Sequence, residues 1–169
     1  MRVMWIRELI GRPVVDRTTA RVLGITVDAF FDTTATLIVA LEVASSGRES
    51  GERVPAESIT RIGNRAVMVE RRSDSEPIGA GHTLDHWLNY RSLMGLEVLD
   101  EDGDRVGHLH NARVDPERLS ISIFQLAGAG WRRWLNLGSV IRPEEVCSCS
   151  RDLMLVKGRR AHSHARAVA

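Results

Sequence analysis

Few residues in this chain have the types and spacing of a reactive site. His108 and His110 stand two positions apart. On a strand that spacing puts both rings on one face, where two imidazoles could share a metal. No third ligand accompanies them at a workable spacing, so they read as solvent-facing histidines and no metal is expected. Cys147 and Cys149 have the same spacing. Cysteines this close bridge poorly, so no disulfide framework is implied. They read as buried or half-buried thiols without a redox or metal partner. Trp131, Arg132, Arg133 and Trp134 form the most unusual local cluster, reached through Ala127-Gly128-Ala129-Gly130. Aromatic and guanidinium groups together are what partner interfaces favour, and they can also stack on nucleic-acid bases. The other reading has both tryptophans covering a barrel end beside Trp87. The chain has no phosphate-binding Gly-x-x-x-x-Gly-Lys loop, no dinucleotide glycine fingerprint and no Gly-x-Ser-x-Gly elbow. Its carboxylates fall mostly in turns, where solvent keeps them ordinary. The sequence therefore predicts no catalytic residue, no cofactor and no enzyme.

Composition narrows the classes further. Lys and Arg number 23 and Asp and Glu 22 in 169 residues, so the chain as a whole is no polyanion binder. Apolar runs fall far short of the roughly 20 residues that a membrane span needs, and Met1 to Arg12 does not read as a secretory signal. Direct membrane insertion is not expected, and a cytoplasmic location is the default. A single module of about 70 residues would be marginal alone, so two such modules would gain by packing together.

The chain repeats itself. Leu9-Ile10-Gly11, Asp16, Gly24, Asp28 and Asp32 are followed by Leu93-Met94-Gly95, Asp100, Gly107, Asn111 and Asp115 in the same order. Gly11 and Gly95 are 84 positions apart, Asp16 and Asp100 also 84, and Gly24 and Gly107 83. Val54-Pro55-Ala56-Glu57-Ser58-Ile59 likewise answers Ile141-Arg142-Pro143-Glu144-Glu145-Val146. A colinear series with small shifts at turns indicates duplication of one unit.

The elements within each unit read as strands. Leu37, Val39 and Leu41 alternate with Thr36, Ala40 and Glu42, and Ile25, Val27, Ala29 and Phe31 share the same period of two. Gly63-Asn64 fits a hairpin turn, and Glu101-Asp102-Gly103-Asp104 a turn. Glu70 to Gly81 reads as a linker. Thr83 is expected to cap a short helix through Leu84, Trp87 and Leu88, leading into the second unit as Met4 to Leu9 leads into the first. The organisation is residues 1–71 as the first barrel, 72–89 as the linker with the short helix, 90–157 as the second barrel, and 158–169 as a disordered basic tail. Gly11, Asp16, Gly24, Asp32, Gly95, Asp100, Gly107 and Asp115 read as structural turn residues.

This repeated pattern resembles the PRC-barrel family. The resemblance lies in the Leu-x-Gly opening, the Asp at the first turn and the Gly leading into a strand. An Asp closes that strand, and a Pro-containing turn precedes the last hairpin. Pro55 and Ile59, then Pro143 and Val146, complete it. Asn111 departs from the pattern by standing where Asp28 does, and Pro143 sits one place later than Pro55. The family includes the cytoplasmic part of the photosynthetic reaction centre H subunit and the C-terminal domain of a ribosome maturation factor. The resemblance implies an all-β fold of two tandem small PRC-like barrels and a protein-docking role without catalytic residues. In the family register Ile25 and Val27 face outward, where the second unit has His108 and His110. They would form an apolar stripe at an inter-barrel or homodimer contact; a register shifted by one would make them core. The functional expectation is a non-catalytic adaptor or scaffold whose protein partners are unknown, with Trp131 to Trp134 as the partner surface. RNA or ribosome-associated binding, or a peripheral place in a membrane complex, are the alternatives.

Overall fold

Period-two apolar patterning and turn-forming aspartates commit most of this chain to short strands. The computed structural model describes residues 3–32, 34–45, 51–70, 87–127 and 139–158. The first half contributes β1 (Met4–Trp5), β2 (Pro13–Asp16), β3 (Arg21–Phe31), β4 (Ile38–Ala44), β5 (Glu52–Pro55), β6 (Ile59–Ile62) and β7 (Val67–Val69). The second contributes β8 (Leu88–Asn89), a single helical turn α1 (Tyr90–Leu93), β9 (Glu97–Asp100), β10 (Arg105–Asp115), β11 (Ser120–Ala127), β12 (Val140–Ile141), β13 (Val146–Cys149) and β14 (Leu153–Val156).

These strands form two seven-stranded sheets with one shared topology. The first runs β5-β4-β3-β2-β7-β6 and the second β12-β11-β10-β9-β14-β13. Each holds one parallel contact, β2 with β7 and β9 with β14. The architecture is two tandem small β-barrel-like domains, nearly all β.

The seventh strand of each sheet comes from the other half of the chain. β1 pairs antiparallel with β10, Met4 opposite Val114 and Trp5 opposite Arg113. β8 pairs antiparallel with β3, Leu88 opposite Phe31 and Asn89 opposite Phe30. The two halves thus exchange their leading strands. They also meet where β4 and β11 begin. Ile38 donates its N–H to the Leu119 carbonyl at 2.8 Å, and Ile121 donates to that of Thr36 at 2.7 Å. One buried apolar cluster takes side chains from both sheets, with Phe31, Leu41 and Val67 from one and Phe124, Leu109 and Met154 from the other.

The structure corrects three expectations. Ile25 and Val27 do not share a face with Ala29 and Phe31. Thr26 pairs with Val43 and Asp28 with Glu42, so Val27 is an extra residue in β3 and the facing parity reverses there. A bulge does this because one inserted residue turns every later side chain over. A second bulge, at Val39, breaks the expected Leu37-Val39-Leu41 face in the same way. Ile38 pairs with Phe31 and Ala40 with Phe30, so Ile38 and Leu41 are core while Leu37 is 48% exposed. Lastly, Leu88 lies in a strand and the helical turn begins at Tyr90. Its N-cap is Asn89, whose side-chain oxygen accepts the Ser92 N–H at 2.8 Å. Pairing with β3 outweighs local helix propensity at Leu88. The proposed cap Thr83 lies outside the described residues.

Candidate interaction surfaces

Turn chemistry fixes the frame of the site. Asp16 accepts the N–H groups of Thr18 and Thr19, and Asp100 those of Asp102 and Asp104. Asp32 accepts Thr36 and Leu37, and Asp115 accepts Glu117 and Arg118. Each short carboxylate ties down turn donors that would otherwise lack partners. Gly11 and Gly95 have φ of +84° and +86°, a region that suits glycine. Their N–H groups close on the carbonyls of Thr26 and Leu109, both at 2.7 Å. Gly24 allows a close backbone approach, since a Cβ there would run into the carbonyl oxygen of Ala44. At Gly107 the same virtual atom stands 3.3 Å from the Ala127 oxygen.

The bulge in β3 aims Asp28 at the exchanged strand. Its carboxylate accepts the Ala29 N–H at 2.8 Å and the Tyr90 N–H at 3.0 Å, while Arg91 stands 3.8 Å away. Asp28 is buried, and that desolvation pushes its carboxyl above the ordinary range, against the lowering effect of these donors and of Arg91. Asn111 follows the corresponding bulge in β10, where His110 is the extra residue, and accepts the Ala112 N–H at 3.0 Å. Thr26, one residue before the first bulge, has a buried hydroxyl with no partner among the described residues.

The outer face of the first sheet is apolar. Val22 is 68% exposed and lies opposite Val15; Ile25 is 46% exposed between Pro13 and Ala44. Residues directly opposite one another share a face, and half-buried Val27 adjoins them. On the second sheet the corresponding places hold Arg105 opposite Leu99, and His108 between Glu97 and Ala127. Arg105 and Glu97 stand 3.8 Å apart as an exposed ion pair. His110 is exposed and His108 half-buried on that face. Among the described residues no group of three or more His, Cys, Asp or Glu side chains is placed to hold a metal.

The two thiols differ in setting. Cys147 is exposed and its thiol contacts the Glu101 carboxylate at 3.6 Å. Desolvation and the negative charge of Glu101 raise its pKa. Cys149 is half-buried and is pushed up to about 12 by burial, with the Asp32 charge adding to it. Thiolate is the reactive form, so neither setting activates sulfur. Trp131, Arg132, Arg133 and Trp134 lie outside the described residues.

A polar cleft crosses the junction between the halves, built from β3, β4 and β5 of one and Trp87 to Ser92 of the other. The linear sequence carries no sign of it, because Phe30, Glu42, Arg53, Trp87 to Ser92 and Arg151 come from five separated stretches of chain.

The frame just described, with its Asp-closed first turn, its glycine at the close approach and its bulged long strand, coincides with a family match: residues 1–76 fit the model of the PRC-barrel domain. The first half of this chain is a PRC-barrel domain. The matched PRC region includes β1, the strand that completes the second sheet rather than the first. No curated protein matches the chain.

Proposed function

We propose that this chain is a non-catalytic adaptor or scaffold acting in the cytoplasm, built from two copies of a PRC-type unit over residues 1–71 and 90–157. The common strand order, the paired bulges at Val27 and His110, and the equivalent turn aspartates support the duplication. The observation that carries the binding role is the outer face of the first sheet. Val22 and Ile25 remain exposed where the second sheet holds Arg105 and His108. An exposed apolar cluster on a sheet whose sister face is charged marks a contact with another protein. Among the described residues no helix is long and apolar enough to cross a membrane, so a place in a membrane complex would come through a partner.

The test replaces Val22 and Ile25 by the second sheet's own residues, as Val22→Arg/Ile25→His. Light scattering reads self-association, and cross-linked capture from the source cell reads other partners. The expected result is loss of self-association or of a specific captured protein at an unchanged melting temperature. A mass of one chain and identical capture profiles for both proteins would sink the proposal.

A further inference from the structure

The junction cleft has a volume of about 460 Å³, within the range of pockets that hold small organic groups. Its floor is Phe30, only 9% exposed. The Arg53 guanidinium lies 4.7 Å above that ring, and the Trp87 ring is tilted beside it at 6.3 Å. Stacking holds Arg53 in place while leaving its N–H edge available. Arg151, from the turn between β13 and β14, lines the same cleft with Asn89 and Ser92. Neither Arg53 nor Arg151 has an ion pair among the described residues, so two guanidinium groups share the cleft with a single carboxylate, that of Glu42 opposite Arg53. Among the described residues Glu42 is the one acidic side chain in the lining.

The fold does not demand these groups. In the second sheet Arg113 takes the place of Phe30 and stacks on Trp5 from the exchanged strand at 4.6 Å. Gln125 and Val140 pair there as Glu42 and Arg53 pair in the first. One copy of the scaffold has a doubly cationic aromatic cleft, and the other has an arginine–tryptophan stack beside exposed Val140.

We propose that this cleft docks a short peptide segment carrying an aromatic side chain next to an acidic one. The ring packs against Trp87 and the stacked Arg53, and the carboxylate meets the free guanidinium edges of Arg53 and Arg151, the geometry in which arginine binds carboxylates best. Glu42 accepts a peptide N–H of the same segment. A phosphate group beside that carboxylate would bring no N–H donor to it. This inference rests on the reading of the chain as a protein-binding module but uses a different surface. The site exists only because the leading strand of the second half is seated on β3.

The test is a nuclear magnetic resonance titration of the whole chain with the blocked peptide acetyl-Asp-Phe-Asp-amide. The same peptide with lysine for aspartate, and uridine monophosphate, are the comparisons. Saturable shifts are expected at the Trp87 indole and the amides of Asn89 and Ser92, weakening with added salt. Arg53→Gln/Arg151→Gln should lower the affinity at least tenfold, and the lysine peptide and the nucleotide should leave these signals in place. Arg151→Gln alone alters only an exposed turn residue and should lower affinity by a smaller factor in a protein of unchanged melting temperature. Absence of saturable shifts, equal affinity in the variants, or a response to the nucleotide in place of the peptide would overturn the inference. The Val22→Arg/Ile25→His protein must bind the peptide as the wild type does, which separates failure here from failure of the apolar-face reading.

Discussion

The two halves of this molecule use one backbone plan for two different surfaces. Strand order, bulge positions and turn aspartates agree between the sheets. The outer faces do not: Val22, Ile25 and Val27 on one side stand against Arg105, His108 and His110 on the other. The junction differs too, with buried Asp28 in the first sheet and neutral Asn111 in the second. What the halves share is therefore backbone geometry, and what separates them is the chemistry presented outward and across the seam.

Substitutions at equivalent positions sharpen that contrast, and the largest effect is expected at the glycines. Gly24→Ala drives a Cβ into the Ala44 carbonyl, a backbone atom that cannot move alone. Its cost should be about 3 kcal/mol or more, as for severe overpacking. Gly107→Ala meets only a tight contact at φ +158° and should cost about 1 kcal/mol. Urea denaturation of both variants reads the difference; equal midpoints would mean the two close approaches are alike.

A smaller effect of opposite sign is expected at Thr26, which stands where the second half has Leu109. Thr26→Val removes a buried hydroxyl that lacks a partner among the described residues and keeps the side-chain shape. It should stabilise the protein by about 1 kcal/mol. Destabilisation on thermal melting would show that the hydroxyl is satisfied in solution.

The smallest effect is at the seam. Because burial raises the folded-state pKa of Asp28, ionisation of this group works against folding. Its favourable contribution is full below the ordinary carboxylate range and is lost as pH rises through the raised value. Asp28→Asn gives the first half the neutral residue of Asn111, keeping an oxygen for the N–H groups of Ala29 and Tyr90. At pH 7 the variant should match or exceed the wild type by less than about 1 kcal/mol. The variant-minus-wild-type difference should shrink as pH falls toward 4. A variant losing stability at pH 7 would show instead that the exposed Arg91 partner outweighs desolvation.

Much of the frame was legible before any coordinates. The repeat from Leu9 to Asp32 and from Leu93 to Asp115 announced one plan used twice, and its spacing marked the turn positions at Asp16, Asp100, Gly11 and Gly95. Facing was harder to read. The pattern placed Ile25, Val27, Ala29 and Phe31 on one side, because a period-two reading contains no bulge. The bulge at Val27 is decided by how β3 pairs with β4, which is not local information. Leu88 read as helix for a related reason, its strand partner being Phe31 in the other half.

The sequence by itself determined that this protein is built of short strands in two successive units, because alternation and turn residues act over a few positions. Only the tertiary structure decided that the units trade their leading strands, that Asp28 accepts the Tyr90 N–H of the exchanged segment, and that Phe30, Arg53, Trp87 and Arg151 meet in one cleft. Those contacts join residues far apart in the chain, and their geometry is set by strand pairing and shared burial between the two sheets, which no local pattern encodes.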